Sequence, residues 1–189
     1  MNLIYSSLLK RKFITAFLEV CIAIKVHPNF LMACIAFETA ETFSPSIRNK
    51  YTGATGLIQF MPQTATALDT STNDLSRMTA VEQLYYVKQF YYPISGKLKT
   101  LDDVYMAILW PEAIGKPPDY ILFNENGEYP KRYFENAGLD LNHNKLITKA
   151  EASEEVHEKL IKGQKYSNFE LEKYFSEVEP QDLKLISRC

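Results

Sequence analysis

Apolar residues recur at helical spacing along most of this chain. Between Lys10 and Lys25 they stand at Phe13, Ala16, Phe17, Val20, Cys21 and Ile24, the i, i+3, i+4, i+7 pattern of one buried face. Val26-His27-Pro28-Asn29 interrupts it, and Pro28 suits the first turn of a second helix. That helix, Asn29 to Thr39, is strongly apolar and ends at Glu38. His27 reads as a surface turn residue, since no second His or Cys is placed to act with it. Ser44 to Tyr51 reads as loop, and Gly53 to Phe60 as a strand or tight turn near the acid. Met61-Pro62 opens a helix through Leu68, followed by a polar turn over Asp69 to Asn73. Thr79 to Tyr92 is helical in pattern and stops at Pro93 to Gly96. Thr100 caps a helix to Leu109 with Leu101, Val104, Tyr105 and Ile108 as its stripe, and Trp110-Pro111 closes it. From Ala152 onward the chain is charged and helical in pattern. Leu160, Ile161, Phe169, Leu171, Tyr174 and Phe175 are there to dock it, and Glu154-Glu155 form a solvated face. The pattern predicts a mainly α fold with a small loop or β segment beside Glu38.

Composition narrows this picture. A chain of 189 residues, 46% apolar and 23% charged, predicts a globular protein large enough to bury a core. It divides into a core over 1–125 and a C-terminal segment over 126–189. A net charge of -2 argues against a nucleic-acid partner. Cys21, Cys34 and Cys189 make an odd set and read as reduced thiols, the first two in apolar helical patterns. No run is long enough to span a bilayer, so no membrane insertion is expected. The start, MNLIYSSLLKRKF, lacks the order of a signal peptide, so synthesis in the cytoplasm is expected.

The candidate chemistry lies between Phe37 and Ala65. Glu38 ends an apolar helix, where burial raises a carboxyl pKa. The loop beyond it carries Gly53 and Gly56, which let backbone come close to a ligand. Together they describe a general acid facing a groove. Glu41, three residues on, is either a solvated loop acid or a second functional carboxylate.

These residues also follow a known order: Glu38-Thr39, then Phe43-Ser44-Pro45, then Gly53-Ala54-Thr55-Gly56-Leu57-Ile58-Gln59-Phe60-Met61-Pro62-Gln63-Thr64-Ala65. The pattern resembles that of the lysozyme-like lytic transglycosylases (the SLT and goose-type lysozyme family), in particular their phage endolysin members. A weaker resemblance runs from about Ile14 to Phe123. It implies a lysozyme-like helical domain that cleaves the β-1,4 bond between N-acetylmuramic acid and N-acetylglucosamine. Glu38 would serve as general acid and then as base on the sugar's own C6 hydroxyl. The absence of an obvious partner carboxylate near Glu38 favours this one-carboxyl route over a two-carboxylate hydrolase. Glu112 is the distant candidate for a second acid. The resemblance also implies that Gln59 lies beside the acid, with Thr55 and Tyr51 as further sugar contacts. Where the family carries Tyr-Asn, this chain has Trp110-Pro111, so Trp110 keeps an aromatic contact at most. No cofactor is implied for catalysis. A phage endolysin acts as a monomer on peptidoglycan strands after release from the host cytoplasm.

A second motif, Asp140 to Glu151, has the spacing of an EF-hand calcium loop. Its ligands would be Asp140, Asn142, Asn144, the Leu146 carbonyl, Thr148 and Glu151. Lys145 stands where the pattern wants Gly. Two readings stay open: a modest calcium site, or a loop that keeps its shape through side-chain-to-backbone bonds. Rival functions also stay open. One is a hydrolytic muramidase or chitinase, and the other is a non-catalytic, calcium-dependent wall-binding module.

Overall fold

The computed structural model describes residues 1–177, so Cys189 lies outside the described residues. The fold is mainly helical with two short antiparallel strand pairs. A helix over Arg11–Ile24 (α1) is followed by Pro28–Glu38 (α2), Pro62–Ala67 (α3), Thr72–Arg77 (α4), Ala80–Tyr91 (α5) and Leu101–Leu109 (α6). Strand Asn2–Leu3 (β1) precedes them. Ile121–Asn124 (β2), Pro130–Glu135 (α7), Leu146–Thr148 (β3), Lys149–Gly163 (α8), Phe169–Glu170 (β4) and Leu171–Ser176 (α9) follow.

α2 is the central element. It is buried on nearly every side, with Leu31, Met32, Cys34 and Ile35 fully out of solvent, and it packs on α8 and α6. α1 packs on α5. Of the stripe anticipated on α1, Phe13, Phe17, Val20, Cys21 and Ile24 are buried and Ala16 is half-buried; Ile14 and Leu18 are buried too, and Lys25 ends the helix in the left-handed region. Residues on either side of position 125 share one core: β1 pairs with β4, and β2 with β3. No single described helix is long and apolar enough to cross a membrane. α1 and α2 are so only together, and they meet at a bend of 116°.

Caps account for the helix boundaries. Thr79 and Glu82 form a reciprocal capping box on α5, and the Thr100 hydroxyl accepts from the Asp103 amide at the start of α6. α4 was not anticipated, although Ser71 caps it by accepting from the Asp74 amide. Two expectations need correction. His27 is 8% exposed, not a surface residue: its Nδ1 accepts from the Asn29 amide at 3.2 Å and caps α2, and burial lowers its pKa. Ile161 is 67% exposed and docks nothing, whereas Phe169, Leu171 and Phe175 are buried as expected. Cys21 and Cys34 are buried free thiols.

Candidate active site

The end of α2 sets the position of Glu38. The Glu41 amide donates back to the Ala36 carbonyl at 2.7 Å and the Ala40 amide to the Phe37 carbonyl at 3.1 Å. This is the paired hydrogen bonding of a Schellman stop, with Ala40 at φ 47° in the place glycine usually takes. A side chain there costs about 1 kcal/mol. Thr39 is fully buried and locks the turn: its hydroxyl donates to the Ile35 carbonyl at 2.7 Å and accepts from the Phe43 amide at 3.1 Å. Glu41 points away from the groove. Lys159 and Lys162 of α8 bind its carboxylate at 2.7 and 2.6 Å, and their hydrogen bonds hold its pKa below the ordinary value. Glu41 is therefore neither a loose surface acid nor a second catalytic carboxylate.

Glu38 faces an open cleft of about 730 Å³, half-buried among Phe37, Tyr105 and Ile108. Burial pushes its carboxyl pKa up to about 8, and no hydrogen bond or ion pair among the described residues offsets that. The negative end of the α2 dipole acts in the same direction. Glu38 is thus a protonated acid at neutral pH. The neighbouring Tyr105 phenol is pushed up too, by burial first and then by the Glu38 charge.

One wall of the cleft is the loop 45–60. It has no regular strand. Thr55 bridges Arg48 and Phe60, and one side chain from outside the loop ties it to α5. Gln83, fully buried on α5, donates to the Pro45 and Leu75 carbonyls at 2.7 and 2.6 Å and accepts from the Leu57 amide at 3.0 Å. Gly56, at φ 86°, makes room for it: a Cβ there would lie 2.3 Å from Gln83 Oε1. Sequence reasoning missed Gln83. Its one signal was a polar residue on the buried stripe formed by Leu84, Val87 and Tyr91.

The structure brings some of the anticipated residues together and separates others. Gln59 lines the cleft with Glu38, but its amide donates to the Ile47 and Gly56 carbonyls, so only its Oε1 is left for a ligand. Tyr51 stands on the rim, 99% exposed. Trp110 lines the opposite side, edge-on to Phe123 at 5.2 Å. Thr55 corrects the expectation. It is fully buried, and its hydroxyl donates to the Gly53 carbonyl, so it shapes the loop and touches no ligand. Glu112 lies in a neighbouring depression behind Trp110, not in the cleft. The far wall, Arg132, Glu135 and Asn136 of α7 and its end, was unforeseen.

Compared with known proteins, the chain matches no family model and no curated protein.

The loop from Asp140 to Glu151 is held by its own bonds. Asp140 Oδ1 accepts from the Asn144 amide, and Oδ2 from the Lys145 amide and the Tyr133 hydroxyl. Burial alone would raise the Asp140 pKa; these donors outweigh it and lower it. Asn142 and Asn144 accept from the backbone two residues on, and Lys145 adopts the left-handed φ of 69° that the loop requires. Glu151 closes the loop: it forms a capping box with Thr148 and its Oε1 accepts from the Asn142 side-chain Nδ2 at 2.7 Å. Leu146 lies in β3, paired with Asn124. No cluster of three or more His, Cys, Asp or Glu suited to a metal occurs among the described residues. Asp140 Oδ2 and Glu151 Oε2 each accept two donors already, while Asp140 Oδ1, Glu151 Oε1 and the Asn142 and Asn144 oxygens accept one each and keep a lone pair that an oxygen-ligated cation could use.

Proposed function

We propose that this protein is a peptidoglycan-degrading enzyme of the phage endolysin kind, cleaving the N-acetylmuramic acid–N-acetylglucosamine bond as a lytic transglycosylase. The observation that carries the reading is Glu38: a half-buried carboxyl with no counter-ion among the described residues, its pKa pushed up to about 8, in an open cleft. A proton held at that pKa matches what a leaving glycosidic oxygen needs. The ordered match from Glu38 to Ala65 supports the same reading.

In the proposed mechanism the glycan lies along the cleft between loop 45–60 and α7. Glu38 donates its proton to the bridging oxygen, and the bond to C1 breaks as oxocarbenium character develops. The Glu38 carboxylate then takes the proton of the C6 hydroxyl as that oxygen closes on C1, giving a 1,6-anhydro end. The rigid α2 stop fixes the carboxyl through both steps. Trp110 and Tyr51 offer aromatic faces to the sugars, and Gln59 one carbonyl. A calcium ion bound by Asp140, Asn142, Asn144, Leu146, Thr148 and Glu151 would cross-link the loop. The proton transfers need none. The site of action would be the cell wall, reached after synthesis in the host cytoplasm.

One observation favours the hydrolytic rival, a muramidase or chitinase: Glu135 lines the same cleft and offers a second carboxylate to activate water. Mass spectrometry of the fragments released from purified peptidoglycan decides. Anhydro ends are expected, reducing ends would identify a hydrolase, and binding without release would leave only a wall-binding module.

A further inference from the structure

The far wall of the cleft is α7, six residues long. A helix so short has no stability of its own, so its place is set by contacts outside it. At its start the Tyr129 ring meets Trp110 at 5.7 Å. On its buried side the Tyr133 hydroxyl donates to Asp140 Oδ2 at 2.8 Å, and Asp140 is itself gripped by the Asn144 and Lys145 amides. These two anchors turn Arg132 toward the cleft.

Arg132 is the single cationic side chain lining that cleft among the described residues. Its ion-pair partner is Glu135 at 3.5 Å, with both side chains well exposed. A stretched, solvated pair of this kind is weak and exchanges readily for a better anion. A guanidinium offers two parallel N–H groups that match a carboxylate. The opposite wall, with Gln59, Tyr51 and Thr52, carries no charge to compete.

We propose that Arg132 is the specificity-determining residue of the cleft. It takes a carboxylate of the lactyl-peptide substituent that muramic acid carries and N-acetylglucosamine lacks. Tyr133 and Asp140 are positioning residues that hold α7 where this contact is made. The inference rests on the proposed glycan-cleaving function and adds the residue through which the cleft would tell a peptide-bearing glycan from an uncharged one.

Binding separates the two. Glu38→Gln protein, which cannot turn over, is titrated with peptide-bearing peptidoglycan fragments and with N-acetylglucosamine oligomers of equal length. Adding Arg132→Gln is expected to weaken the peptidoglycan fragments about tenfold or more, the worth of a charged hydrogen bond, and to leave the uncharged oligomers unchanged. Arg132→Lys should recover part of the loss. The salt dependence of fragment binding should vanish with Arg132→Gln, which a merely structural role would not produce. Tyr133→Phe should weaken the fragments selectively but less. Equal loss for both ligands, or no loss for either, overturns the assignment. If protein with Arg132 intact binds neither glycan, the proposed function itself fails.

Discussion

Two carboxylates withdrawn from water in this molecule have opposite fates. Asp103, at the start of α6, is met by Lys149 Nζ at 2.6 Å and by the Gly115 and Lys99 amides at 2.8 and 3.2 Å. Lys149 also donates to the Lys116 carbonyl at 2.9 Å. Burial alone would raise the Asp103 pKa; the partners outweigh it and lower it. Glu38 has the burial without the partners, and its pKa rises to about 8. The contrast assigns the roles. A buried acid met by three donors ties α6 to α8, while one without a donor beside a cleft keeps its proton to higher pH.

The sharpest test exchanges each group for a neutral one. Glu38→Gln should lower fragment release from peptidoglycan by at least about 100-fold, the usual worth of a general acid. It should not lower the melting temperature. Lys149→Met should do the reverse, costing about 3–5 kcal/mol in denaturant unfolding because Asp103 is left buried and alone, with turnover per folded molecule kept. A Glu38→Gln protein that still lyses walls would remove the acid from the mechanism.

Acidity offers a finer test. The folded-state pKa of Glu38 lies above its unfolded value of about 4.3, so folding favours the protonated form. Its contribution is fully present below the unfolded pKa and is lost as pH rises toward about 8. Wild type should therefore lose stability relative to Glu38→Gln across that window, measured as the difference in unfolding midpoint between pH 5 and pH 9. Activity should fall on the alkaline side near the same pKa. A constant difference would mean that the carboxyl is solvated.

The smallest expected effect concerns the loop. Calcium should raise the melting temperature of wild type by a few degrees, and Asp140→Ala should abolish that gain. A gain that survives Asp140→Ala rejects the site.

Much of this was legible in the sequence because it is local. The stripes of α1 and α6, the Thr100 cap and the end of α2 at Glu38 are set by residues within a few positions of one another. The Asp140 loop likewise took the turn its spacing suggested, Lys145 included. What was not legible depends on distant partners. Glu41 is decided by lysines more than a hundred residues away, and the loop wall by Gln83, which bonds Pro45 and Leu57 from α5. Arg132 lines the cleft from a helix held by Tyr129 on Trp110 and by Tyr133 on Asp140. His27 and α4 are a different case, since His-Pro before an apolar run and Ser71-x-x-Asp74 were readable cap signals.

The grip of Lys159 and Lys162 on Glu41 has a temporal consequence. Those lysines are among the last part of the described chain to be translated, and they clamp the turn that aims Glu38. A nascent polypeptide still lacking them has its acid on a turn without that clamp, so the aim of Glu38 would be fixed only after α8 has been made.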